Sequence, residues 1–112
     1  MTATTTAESS ESVRRRVEKA REIGQLRLAK FGLSCNALMS HRHVKATCAL
    51  NPQAQLLMQQ AFEKLNLSAR GYDRILKVAR TIADLAGEEM IAGPAVAEAI
   101  HLRNIAKENL GY

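Results

Sequence analysis

The stretch from Ser68 to Gly87 constrains the fold more than any other part of the chain. Tyr72, Ile75, Leu76, Val78, Ala79, Ile82, Ala83 and Leu85 recur at three- and four-residue spacing. That is the period of one helix face. Ser68 can accept a hydrogen bond from a free N–H at the start of such a helix, and Gly87 can adopt the left-handed conformation that stops it. Arg70, Arg74, Lys77, Thr81 and Asp84 fall on the other side, and Arg80 extends the same basic surface. Charged residues of this kind are expected to face water. A helix with so broad an apolar face must bury it against other elements.

The remaining segments supply those elements. Asn51-Pro52 is a helix start, because the Asn side chain caps and proline suits a position whose N–H has no helical partner. Leu56, Leu57, Ala61 and Leu65, with Met58 and Phe62 beside them, form the apolar face of a helix ending near Leu65-Asn66. Ser10, Glu11 and Ser12 open an earlier helix whose stripe is Val13, Val17, Ala20, Ile23 or Gly24, and Leu28; it fades near Lys30, before Gly32. Gly93-Pro94 starts a last helix carrying Val96, Ala97, Ile100 and Ile105, which frays after Ala106. In between, Asn36 to Met39 is expected to form a short turn, and Ser40 to cap a short helix reaching about Thr47. No strand-like alternation of any length and no internal repeat occurs. The fold class is therefore all-α, a small helical bundle. Residues 1–9 are small and polar and are expected to be a disordered tail. The helical domain spans 10–107, and 108–112 are a frayed C-terminus.

Length and composition agree with one modest core. The 112 residues suffice for a single domain, and scarce aromatics with abundant alanine, leucine and isoleucine suit helices. Lys plus Arg exceed Asp plus Glu by 16 to 11, which favours an anionic partner such as nucleic acid, nucleotide phosphate or an acidic neighbouring domain. No apolar stretch approaches the ~20 residues that cross a bilayer, and the N-terminus lacks the pattern of a secretory signal. With only Cys35 and Cys48 there is no disulfide scaffold. A cytoplasmic protein with no membrane partner is expected.

The segment Leu65-Asn-Leu-Ser-Ala-Arg-Gly-Tyr-Asp-Arg-Ile-Leu-Lys-Val-Ala-Arg-Thr-Ile-Ala-Asp-Leu-Ala-Gly87 closely resembles the C-terminal lid of magnesium-chelatase-like AAA+ ATPases of the ComM competence family. Two further stretches are similar: Glu8 to Arg21, like the helix entering the lid, and Val96 to Ile100 with Arg103, like its last helix. The resemblance covers about residues 8–105. It implies a lid that closes over ATP and magnesium bound to an AAA+ core domain, in a hexameric ring that migrates DNA branches. Arg70 takes the place of the sensor 2 arginine, which reaches the γ-phosphate from the lid side, and Arg74 and Lys77 are further candidates for phosphate or subunit contacts. A guanidinium suits this role because it donates two parallel charge-assisted hydrogen bonds to phosphate oxygens. The sequence departs from the whole family pattern in having no Gly-x-x-x-x-Gly-Lys-[Ser/Thr] loop and no acidic strand end for magnesium. By itself the chain is expected to bind no cofactor measurably and to hydrolyse no ATP. Gly71 stands where a helix-favouring residue is expected.

Other residue patterns are weighed against this one. The helices 52–65 and 68–86, joined by a short turn, also suit a stand-alone helix-turn-helix that presents Arg70, Arg74 and Lys77 to a major groove. The second helix is long for that purpose. Arg14-Arg15-Arg16 has no stacking aromatics beside it and is expected to be a solvated face. Cys35, His41, His43 and Cys48 offer two sulfurs and two nitrogens, but without the close pairs that hold zinc. No metal site is expected, and Cys48 is expected to be a small buried hydrophobe. No catalytic residues are expected.

Overall fold

The computed structural model describes residues 9–110, with side chains to Ala106. Within them lie five α-helices: α1 (Ser10–Leu28), α2 (His41–Thr47), α3 (Pro52–Lys64), α4 (Ala69–Leu85) and α5 (Gly93–Leu110), with short 3-10 turns at Ala29–Phe31 and Asn36–Leu38. The tail expected at 1–9 lies, apart from Ser9, outside the described residues, as do residues 111 and 112. The last helix continues past Ala106, where the sequence pattern lets it fray, to Leu110.

The helix ends follow the capping chemistry of the sequence. Asn51 accepts a hydrogen bond from the Ala54 N–H and Ser68 from Gly71, while α1 is capped one residue earlier than expected, by Ser9, which the sequence pattern places in the tail and which accepts from the Ser12 N–H. Pro52 occupies the first turn of α3. At α2 the Ser40 N–H donates to Nδ1 of His43 at 3.1 Å, so a histidine fills the place usually held by Glu or Gln in a capping box. Asn66 (φ 53°) ends α3 in the left-handed region, and the Leu67 N–H donates back to the Phe62 carbonyl. Gly87 (φ 74°) ends α4 in the same way, with Glu88 N–H donating to Ala83 and Gly87 N–H to Asp84. These are the bonds of a Schellman turn, which uses up carbonyls the helix leaves unpaired.

The central helix is α4, which packs against α1, α2, α5 and the Asn36–Leu38 turn; α3 packs on α5. The core joins Leu28, Met39, Val44, Met58, Ile75, Leu76, Ile91 and Val96, with small alanines at 54, 79, 83, 95 and 99 that let the helices approach. Cys48 is buried with them, as expected. Two loops are pinned together where the Ile91 N–H donates to Ala49 and the Asn51 N–H to Ile91; this single parallel bridge, Leu50 to Ile91, is the nearest approach to a strand among the described residues. Of the α1 stripe, Ala20, Gly24 and Leu28 are buried, while Val13, Val17 and Ile23 stay more than a third exposed. None of the described helices is long and apolar enough to cross a membrane.

Two expectations about α4 are corrected. Asp84 and Arg80, placed on the solvent side by sequence, are buried at 5 % and 2 % exposure. They lie four residues apart, and a buried charge persists only when paired and hydrogen-bonded. Arg80 Nε donates to Asp84 Oδ1 at 3.1 Å, and its two terminal nitrogens donate to the carbonyls of Glu88 and Glu89 at 2.7 and 2.8 Å. The Schellman turn after Leu85 is what turns those carbonyls back toward α4. Arg27, near the end of α1, donates to both oxygens of Asp84, and Asn36 Nδ2 donates to Oδ2 at 3.1 Å. One carboxylate thus ties α1, the Asn36–Leu38 turn and α4 together. Burial lowers the Arg27 pKa below its ordinary value, against the pull of Asp84. Val78, expected in the buried face, is 40 % exposed.

Candidate functional site

Arg70 is the second residue of α4 and is exposed. The first turn of α4 contains no acidic residue. A cation at the positive end of a helix dipole lowers helix stability, by about 0.3–1 kcal/mol when exposed. Local rules broken in this way tend to mark functional positions. The same placement adds the positive helix end to the guanidinium charge and suits an incoming anion. Arg70 forms no ion pair among the described residues.

Arg70 lines an open cleft of about 500 Å³ between α2 and α4, with Met39, Ser40, His41, Asp73, Arg74 and Lys77. The structure therefore brings Arg70, Arg74 and Lys77 to one surface. Their states differ. Arg74 is exposed, whereas Lys77 is half-buried and its ammonium donates to the Ala37 carbonyl at 3.4 Å. Arg80, grouped with them by sequence, is excluded from the cleft by its burial. One group the sequence did not bring to this cleft is the pair His41 and Asp73: the Nδ1 of His41 stands 3.1 and 2.9 Å from the two carboxylate oxygens. Thirty-two residues separate them, so no local spacing could reveal the pair.

The Ser68 cap fixes the start of α4 and so the origin of Arg70. A side chain at Gly71 would meet Ser68 Oγ at 3.4 Å and Leu67 at 3.6 Å, ordinary contacts, so packing does not demand glycine there. As a recognition helix α4 is poorly placed. It is wedged among α1, α2 and α5, and Lys77 is engaged by the Asn36–Leu38 turn.

The four residues weighed as zinc ligands are dispersed. His41 faces Asp73, and His43 serves the Ser40 cap and lies against Phe31 with ring centroids 4.7 Å apart. Cys48 is in the core and Cys35 is exposed beside the groove between α1 and α4. Arg14, Arg15 and Arg16 are exposed on α1, and Arg15 pairs with Glu11 at 3.8 Å.

Comparison with known proteins agrees with this architecture. Residues 7–103 match the family model described as magnesium chelatase, subunit ChlI C-terminal. The chain is 42 % identical to the competence protein ComM of Haemophilus influenzae over 100 residues, which is 89 % of this chain and 19 % of that protein. It is 35 % identical to the uncharacterised protein YifB of Escherichia coli over 88 % of this chain and 19 % of that one. An uncharacterised protein of Mycobacterium tuberculosis is 36 % identical, over 86 % of this chain and 19 % of its own length. The chain thus spans about a fifth of the length of the curated relatives it matches. No solved structure matches it. The chain belongs to the family of C-terminal domains of magnesium-chelatase-like and ComM proteins.

Proposed function

We propose that this domain is the lid of a ComM-type AAA+ ATPase, contributing nucleotide sensing and ring assembly to an ATP-dependent DNA branch-migration motor. In this reading Arg70 donates to the γ-phosphate of ATP bound with magnesium on the core domain. Arg74 and Lys77 contact phosphate or the neighbouring subunit of a hexameric ring. The observation that carries the reading is the exposed Arg70 guanidinium at the cationic end of α4, in a cleft it shares with two more cations. The core supplies the phosphate loop and the magnesium ligands. The lid supplies one movable charge, held on a rigid helix whose far end is locked by the Arg27–Asp84–Arg80 cluster. Rotation of such a body carries the guanidinium toward or away from the nucleotide without refolding.

The labelled domain, titrated by NMR with duplex and branched DNA at physiological salt and then with an ATP analogue and magnesium, separates this reading from a stand-alone DNA-binding module. A lid without its core gives no saturable DNA shifts, and nucleotide effects, if any, stay around Arg70. Saturable, salt-sensitive DNA shifts along Arg14–Arg16 or Arg70–Lys77 would make the chain a DNA-binding module instead.

A further inference from the structure

We propose that His41 is a positioning residue for the Arg70 cleft: by holding the Asp73 carboxylate it keeps Arg70 available to an incoming phosphate. The proposal rests on the reading of that cleft as a phosphate-contacting surface.

Asp73 follows Arg70 by three residues and precedes Lys77 by four. Both spacings bring side chains together on one helix face, where opposite charges pair. A carboxylate at this position is therefore a built-in competitor for the cations that phosphate needs. The structure shows it diverted. The Asp73 side chain is 13 % exposed and faces His41, not Arg70 or Lys77. Lys77 turns instead to the Ala37 carbonyl. An ionised carboxylate only accepts hydrogen bonds, so the His41 Nδ1 must carry the proton.

The His41 side chain is 68 % exposed, and it is its backbone that the neighbouring residues place. His41 begins α2 directly after Ser40, whose backbone N–H is fixed by His43, and after Met39, which is in the core. The other charged or titratable groups on the two elements near the pair include Arg42, His43 and Lys45 on α2, and Arg70, Arg74 and Lys77 on α4. His43 is occupied by the Ser40 cap. Of the α2 groups, the structure places only His41 on the carboxylate.

The test is side-chain nitrogen NMR on the ligand-free protein, following Arg70 Nε–H and Lys77 Nζ. In His41→Ala, Asp73 turns to its helix neighbours, so the Arg70 signal shifts and its hydrogen exchange slows about twofold, the scale of a helix-surface ion pair. His41→Gln, which can still donate to the carboxylate, keeps the original signals. Asp73→Asn leaves them unchanged, and adding it to His41→Ala cancels the effect. An unaltered Arg70 signal in His41→Ala would show that His41 merely staples α2 to α4, even if stability falls. A shift in Asp73→Asn alone would show that the carboxylate already engages the cations. Either result overturns the proposal. No nucleotide enters this experiment, so a failure of Arg70 to contact phosphate appears in an ATPase assay and not here.

Discussion

Replacing Asp84 by alanine is the most informative perturbation of the fold. Its carboxylate accepts two hydrogen bonds from Arg27, one from Arg80 and one from Asn36. The side chains of Asp84 and Arg80 are 4 % and 3 % exposed, and that of Arg27 is 17 % exposed. Without the carboxylate, two guanidinium groups remain close together with no countercharge. Removing one partner of a buried ion pair costs about 3–5 kcal/mol. Two features favour the lower end. Arg80 retains the carbonyls of Glu88 and Glu89, and Arg27 can swing toward solvent. A loss of about 3 kcal/mol is expected, against a total of about 5–15 kcal/mol for a domain of this kind. At ~4–8 °C per kcal/mol, the Tm should fall by at least about 12 °C. The assay is urea and thermal unfolding followed by helical circular dichroism. Arg80→Met with Asp84→Leu together should cost less than Asp84→Ala, because Arg80 no longer leaves a buried charge and only the edge cation Arg27 is stranded. A loss below about 1 kcal/mol in Asp84→Ala would refute the reasoning, since a central buried countercharge cannot be that cheap to remove.

Further outcomes follow from single contacts. Ser68→Ala removes the acceptor for the Gly71 N–H and should cost about 1 kcal/mol in urea unfolding. Gly24→Ala should stabilise by about 0.5–1 kcal/mol, because the helix interior gains a better former and the new methyl has one neighbour, Asp84 Oδ2 at 3.8 Å. Burial raises the Cys48 thiol above its ordinary pKa. The folded state therefore retains that proton longer than the unfolded chain, so stability is full below about pH 8.5 and declines as pH rises beyond it. Cys48→Ala should remove that part of the alkaline decline, and a thiol reagent should label Cys35 quickly and Cys48 only on unfolding.

Legibility differed between elements for physical reasons. Caps were visible because they are local: Ser40, Asn51, Ser68 and Gly87 each act within a few residues of the helix end they fix. Ser40 thus marks the start of the short α2 despite its weak periodicity. Charge alone predicts exposure for Arg80 and Asp84, and they are buried because they pair with each other and with Arg27. A signal did exist, because both residues flank the apolar arc of Leu76, Ala79 and Ala83 at a spacing of four, which suits a pair closed on itself. The third member, Arg27, is fifty-seven residues from Asp84, beyond any local pattern. The position of Arg70 at the start of α4 is legible because the Ser68 cap lies two residues before it, whereas the His41–Asp73 contact depends on how α2 folds back over α4.

The central claim is that Arg70 serves nucleotide, not the fold. The direct measurement is ATP hydrolysis by this domain joined to a magnesium-chelatase-type ATPase core, with and without Arg70→Ala, alongside the thermal stability of each protein. Loss of a charge-assisted contact to phosphate corresponds to about 10- to 100-fold in rate. The account predicts a fall of that size with Tm unchanged or slightly raised, since a cation leaves the positive end of α4. Wild-type hydrolysis in Arg70→Ala, or a loss of activity matched by a loss of stability, would contradict it.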